Sequence, residues 1–258
     1  KWLSDKHGWQ TDPQLMLHTP GVVTSLSLLI QNLTCPGDKI IIQTPVYYPF
    51  FDVIRNNGRI LVENPLKNIN GHYEMDYEQL ESAAKGGAKL LLLCSPHNPT
   101  GRVWEREEIE KAMEIYKANE CVVISDEIWS DLTLPGFKHI PTQSVSKDAR
   151  ERTIALYAPS KTFNLAGLVG SYHIIYNRML RDRVEKASSL SHYNSPNVLS
   201  VHALIGAYRP EGYQWVDELR EVLKSNADYA YNYILEHFKG VKLSKPEGTY
   251  MLYLDCEE

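Results

Sequence analysis

The stretch Thr153–Gly167 reads TIALYAPSKTFNLAG and begins with an apolar run that favours a buried β-strand. Lys161 follows that run closely, among hydroxyl, aromatic and amide side chains. A lysine is ordinarily a solvated surface charge, so this residue alone indicates little. Its position matters because ligands of open α/β sheets bind outside the carboxyl ends of the strands.

The same combination of an apolar run and a polar loop recurs along the chain. Apolar runs that predict strands occupy residues 39–43, 59–63, 89–95, 121–125, 153–158 and 171–176. They are continuous rather than alternating, as in strands covered on both faces. Amphipathic runs between them predict helices, including residues 105–120 and one extended helix over 213–238. Strands that alternate with helices predict an α/β protein with a mostly parallel sheet.

The composition excludes several classes of protein. The 258 residues are 43% hydrophobic, which is ample for a large core. A net charge of -5 without a basic block argues against a nucleic-acid partner. The apolar runs are too short for a membrane span, and no signal peptide is visible. Four widely spaced cysteines favour a reducing, cytoplasmic setting.

Five loops at one predicted edge of the sheet carry groups that suit a single ligand. They contain Gly21, Tyr47, Asn98, Asp126 and Lys161. Each has an ordinary structural interpretation, such as a turn for Asn98 or a helix cap for Asp126. Together they favour a ligand with a phosphate for the helix that Gly21 opens, a ring for Tyr47 and an aldehyde for Lys161. Pyridoxal 5′-phosphate (PLP) carries all of these groups, and its basic ring nitrogen suits Asp126.

Other cofactor and catalytic motifs are absent from the sequence. It contains no GxGxxG, GxxxxGK[ST], GxSxG or HExxH motif. The nine histidines show no metal-ligand spacing, so no metal site is predicted.

Three motifs resemble those of fold-type I PLP enzymes, the aminotransferase class I and II superfamily. They are SPHNPTG at 95–101, SDEIWSDL at 125–132 and APSKTFN at 158–164. Within that superfamily the chain resembles the cystathionine β-lyase, or C–S lyase, group of the MalY/PatB type. The stretches that carry this resemblance are PGVV at 20–23, TPVYYPFF at 44–51, NNGR at 56–59, ENPL at 63–66, PHNPTGRVW at 96–104 and APSKTFNLAGL at 158–168. The resemblance implies the aspartate aminotransferase fold, with a mostly parallel seven-stranded sheet flanked by helices. It also implies a large PLP-binding domain over 1–220 and the start of a smaller C-terminal α+β domain over 221–258.

The resemblance assigns a role to each candidate site residue. Lys161 would form an imine with PLP and then transfer protons, and Asp126 would pair with the pyridinium nitrogen. Asn98 would contact the ring 3′-oxygen, and Tyr47 would stack over the ring. The residues expected to hold the phosphate are Gly21, Val22, Val23 and Ser160.

Two positions depart from the pattern of many relatives. Trp129 stands where many carry Tyr or His, and its indole can donate one hydrogen bond but accepts none. Val169 stands where many aminotransferases carry a phosphate-binding arginine. The lyase group tends to lack that arginine, so Val169 favours the lyase interpretation.

The expected function is therefore that of a PLP-dependent lyase acting on L-cystathionine or a related sulfur amino acid. An aminotransferase of aromatic or sulfur amino acids is the alternative, and a PLP-fold regulatory or interaction protein with little catalysis is a third possibility.

The resemblance implies a homodimer, with Leu190–Ser200 as a candidate contact with the partner's site. The chain starts at Lys1 and ends just after a strand-like run, as expected for a piece of a longer protein. The family's N-terminal segment and carboxylate-binding arginine are expected outside it.

Overall fold

A computed structural model of the chain describes residues 1–192 and 194–256. In this part of the chain the strands are β1 Met16–Thr19, β2 Lys39–Ile42, β3 Ile60–Glu63, β4 Lys67–Ile69, β5 His72–Glu74, β6 Ala88–Cys94, β7 Val122–Asp126, β8 Thr153–Tyr157, β9 Ser171–Ile175, β10 Lys242–Leu243 and β11 Leu254–Asp255. The α-helices are α1 Trp2–His7, α2 Val22–Leu33, α3 Pro49–Asn56, α4 Tyr77–Lys85, α5 Arg106–Ala118, α6 Lys147–Arg152, α7 Arg178–Leu190, α8 Val198–Ala207 and α9 Pro210–His237.

The main sheet of the described residues contains seven strands in the order β1-β9-β8-β7-β6-β2-β3. The five strands from β8 to β3 run parallel, while β9 is antiparallel to β8 and β1 is antiparallel to β9. The predicted mostly parallel, seven-stranded α/β fold is confirmed. In the register of the central strands, Asp126 at the end of β7 pairs with Cys94 on one side and Leu156 on the other.

The apolar strands are continuous because each face of the sheet is covered by its own core. In β6, Leu90 and Leu92 belong to one core cluster, whereas Leu91 and Leu93 belong to the cluster on the other side. All four side chains are at most 1% exposed. The alternating direction of successive strand side chains explains this division.

The helix predicted within residues 105–120 forms as α5. Glu105 and Glu108 close a capping box at its start, which satisfies backbone N–H groups that have no partner within the helix. Its apolar face is buried against the sheet and consists of Ile109, Ala112, Met113 and Tyr116. No helix in the described chain combines the length and apolar character that crossing a membrane requires.

The C-terminal part contains α9 and a short two-stranded ladder. The long helix predicted over 213–238 is present as α9, which runs without interruption through position 220. The domain division at 220/221 stays a prediction. In the strand-like run at 249–255, only Leu254–Asp255 pairs as a strand. At the start of the run the backbone bonds to loops instead, since Gly248 donates its N–H to the Gly101 carbonyl oxygen and Thr249 donates its N–H to that of Leu132.

Candidate active site

The carboxyl ends of β7 and β8 bring Asp126 and Lys161 to one edge of the sheet. Asp126 is the last residue of β7, and Lys161 follows β8 after a loop of three residues. They line a pocket of about 260 Å³, together with the start of α2. Seven of the nine predicted site residues line this pocket, namely Gly21, Val22, Val23, Tyr47, Asp126, Ser160 and Lys161.

Asp126 is a buried carboxyl group whose ionisation is unfavourable in this structure. Its side chain accepts a hydrogen bond from the Ile128 N–H at 3.3 Å. Burial, and the charge of Glu127 to a smaller extent, raise the pKa of Asp126 to about 7, although the Ile128 bond and the charge of Lys161 oppose that rise. A cation beside the carboxylate would compensate the cost of burying its charge. The pocket therefore suits a ligand that carries a protonated ring nitrogen.

The start of α2 suits an anion. Gly21 precedes the helix with φ 95° and ψ 151°, which side-chain-bearing residues rarely adopt. No side chain in the described residues caps this end of α2, so the N–H groups of its first turn are available to a ligand. These N–H groups and the helix dipole favour a phosphate. The presence of Ser160 in the same pocket adds a hydroxyl group.

Tyr47 and Asn98 are joined through the backbone. The Tyr47 N–H donates to the Asn98 carbonyl oxygen at 3.1 Å, and the Tyr47 ring packs edge-on against Phe50 at 6.2 Å. Burial, then the charges of Tyr48 and Asp126, raise the pKa of Tyr47. Tyr47 therefore stays neutral at physiological pH and offers an uncharged ring to the pocket. Asn98 is itself buried but does not line the pocket.

Trp129 also lies outside the pocket lining, although it stands next to Lys161. The Lys161 Nζ is 5.4 Å from the centre of the Trp129 ring. Trp129 also meets Tyr250 edge-on, with the ring centres 4.6 Å apart. Tyr250 could not be identified from the sequence, because it lies more than a hundred residues from Trp129 along the chain.

A second buried carboxylate lies directly behind Asp126. Glu127 accepts hydrogen bonds from His139 at 2.8 Å and from Thr142 at 3.0 Å. Burial lowers the pKa of His139, although the charge of Glu127 opposes this. The side chains of Asp126 and Glu127 point to different surroundings, one to the pocket and the other to this buried group. The one signal in the sequence that points to Glu127 as part of this region is its position directly after β7.

Comparisons with known proteins place these observations in a family. The model of class I and II aminotransferases matches residues 1–258. Cystathionine beta-lyase PatB of Bacillus subtilis (strain 168) is 39% identical over 255 residues, which are 98% of this chain and 66% of PatB. Two solved structures are also similar to the chain: PLP-containing cystalysin from Treponema denticola (TM-score 0.95, 36% identity) and the PLP-bound C–S lyase from Staphylococcus hominis (TM-score 0.92, 32% identity). Each match covers 98% of this chain and 64% of the chain of the solved structure. The chain thus spans about two thirds of the length of these relatives.

Proposed function

Because the chain belongs to the class I and II aminotransferase family, we propose that it carries the PLP site of a carbon–sulfur β-lyase. The substrate would be L-cystathionine or a related sulfur amino acid, and the products a thiol, pyruvate and ammonia. The observation that carries the proposal is one pocket lined by a lysine, a buried carboxyl group and the start of a helix. The names of the similar proteins, cystathionine beta-lyase and C–S lyase, support this choice of reaction.

Each part of the cofactor matches a group in the pocket. Asp126, whose pKa is raised to about 7 by burial, would gain a cationic partner in the protonated ring nitrogen. The first-turn N–H groups of α2 and the Ser160 hydroxyl would hold the phosphate. Tyr47 would stack on the ring, and Lys161 would hold the aldehyde end through Nζ. Asn98 and Trp129 would act from just outside the pocket lining.

The chain's own part in the reaction is binding and proton transfer. PLP, when bound, stabilises the negative charge that develops at the Cα of an amino acid. Lys161 Nζ would remove the Cα proton, and the ionised Asp126 would keep the ring nitrogen protonated. The thiolate that leaves Cβ would take up the proton held by Lys161 and become the thiol, and water would convert the remaining 2-aminoacrylate to pyruvate and ammonia.

The direct test is product analysis of the full-length protein with L-cystathionine and no added keto acid. We expect continuous release of pyruvate, with one thiol formed for each pyruvate. An aminotransferase would use the same residues, but it needs a keto acid to turn over more than once. Turnover that depends on added keto acid would therefore contradict the lyase assignment and support an aminotransferase. No reaction under either condition would rule out L-cystathionine as a substrate of either activity.

We also propose that the protein is a homodimer. An exposed apolar surface at α8 supports a dimer, since Val198 and Leu199 are each 69% exposed. These two residues belong to the predicted partner segment Leu190–Ser200, of which position 193 lies outside the described residues. Sedimentation equilibrium of the full-length protein should give twice the mass of one chain, and a monomer at micromolar concentration would contradict the proposal. A cytoplasmic location stays a prediction.

A further inference from the structure

The residue next to the candidate catalytic lysine is fixed from two sides. Thr162 is 1% exposed, whereas the neighbouring Lys161 lines the pocket. The Thr162 Oγ1 donates a hydrogen bond to the Asp131 carboxylate at 3.0 Å. The Thr162 carbonyl oxygen accepts a bond from the Trp215 indole N–H at 3.4 Å. The backbone that carries Lys161 is thus joined to the loop after β7 and to α9.

Asp131 is itself held by two further donors. It lies five residues after Asp126, and its side chain is 5% exposed. Its Oδ1 accepts hydrogen bonds from the Trp2 indole at 2.9 Å and from the His7 Nε2 at 2.8 Å. Although burial opposes ionisation, these bonds, led by that of His7, lower the pKa of Asp131 below its ordinary value. A carboxylate that accepts charge-assisted bonds from several elements is held in one position.

Helix α1 supports the same backbone through apolar contacts. The Trp2 ring stacks on Tyr208 with centres 4.5 Å apart and an angle of 9° between the rings. Trp2 also meets Phe163 edge-on at 5.6 Å. Phe163 follows Thr162, so the backbone next to Lys161 is supported by Trp2 through Phe163 and by Asp131 through Thr162. Trp2, Phe163 and Tyr208 do not line the pocket that contains Lys161.

We propose that Thr162 and Asp131 are positioning residues that fix the place of the Lys161 amine in the pocket. The inference rests on the proposed function, because it assumes that Lys161 Nζ reacts there. A lysine side chain has several rotatable bonds, so the protein limits the reach of its amine largely by fixing the backbone. Small displacements of a reacting group are costly, and about 1 Å can lower a rate on the order of a hundredfold. A hydroxyl bonded to an immobile carboxylate restricts that backbone more than apolar packing alone.

The test compares Thr162→Val with Thr162→Ser in the full-length protein. Valine keeps the shape of threonine and removes the hydroxyl, whereas serine keeps the hydroxyl. The first measurement is the attachment rate, which is the rate at which the visible absorbance of lysine-bound PLP develops after PLP is added to cofactor-free protein. The others are kcat and KM for L-cystathionine and the melting temperature. In Thr162→Val we expect the attachment rate and kcat each to fall by about tenfold, the size of one lost bond to a charged group. Thr162→Ser should recover most of both losses.

Each outcome has a defined meaning. Attachment and turnover at wild-type rates in Thr162→Val would overturn the inference. Equal losses in Thr162→Ser would also overturn it, because they would assign the effect to the missing methyl group. If Thr162→Val does not fold, the same measurements are made on Asp131→Asn. Slower PLP attachment in a folded Asp131→Asn protein would support positioning of Lys161 by Asp131, and an unchanged rate would contradict it. Failure of the wild-type protein itself to attach PLP would instead contradict the proposed function.

Discussion

Replacing Asp126 by asparagine should stabilise the cofactor-free protein while weakening its function. Burial raises the pKa of Asp126 from 3.8 to about 7. The unfolded chain therefore ionises this group about 3 pH units lower than the folded chain, and stability falls with pH across that interval. At about 1.4 kcal/mol for each pH unit, the buried charge costs about 4 kcal/mol at pH 8. Asparagine avoids this cost and keeps an oxygen for the Ile128 N–H.

The assay is urea unfolding of cofactor-free wild type and Asp126→Asn between pH 5 and pH 8. We expect the variant to gain up to about 4 kcal/mol at pH 8 and less than half of that at pH 5. The variant should also bind PLP more weakly, because it cannot supply a negative charge to the ring nitrogen. Asp131→Asn is the matched control. The pKa of Asp131 is lowered by its hydrogen bonds, so this control should lose stability at pH 8. A gain in Asp126→Asn that is absent at pH 8, or independent of pH, would refute the reasoning.

Two further predictions concern the phosphate end and the ring of the ligand. Gly21→Ala and Gly87→Ala both place a side chain at positive φ (95° and 89°), so each should lose about 1–3 kcal/mol in free energy of unfolding. Only Gly21→Ala should weaken PLP binding measured by equilibrium titration, and equal weakening in both would remove the start of α2 from the site. Tyr47→Phe should bind PLP as wild type does, whereas Tyr47→Leu should bind it several-fold more weakly, as expected for a lost aromatic contact of about 1 kcal/mol. Equal affinities for these two variants would exclude stacking by Tyr47.

Much of the fold could be predicted because its signals are local. The apolar run at 89–95 favours a strand covered on both faces, and β6 forms there with Leu90–Leu93 buried. The rule that ligands bind at the carboxyl ends of parallel strands then placed Asp126 and Lys161 together, as the structure shows. The resemblance to the C–S lyase group, inferred from stretches such as TPVYYPFF and APSKTFNLAGL, is confirmed by the similarity to PatB and to the solved C–S lyase of Staphylococcus hominis.

The parts that could not be predicted depend on contacts between distant segments. The bond from Thr162 to Asp131 joins residues 31 positions apart, and the bond from Trp2 to Asp131 joins residues 129 positions apart. No periodicity or spacing in the sequence encodes such pairs. Trp129 illustrates the same limit, since its ring contact with Tyr250 joins residues 121 positions apart.

The central claim is that Lys161 is the residue that holds PLP. The most direct measurement is borohydride reduction of the full-length protein with PLP, followed by peptide mapping by mass spectrometry. We expect one reduced pyridoxyl phosphate group per chain, attached to Lys161, and no specific attachment in Lys161→Ala. Label on another lysine, or no label on the wild-type protein, would contradict the account.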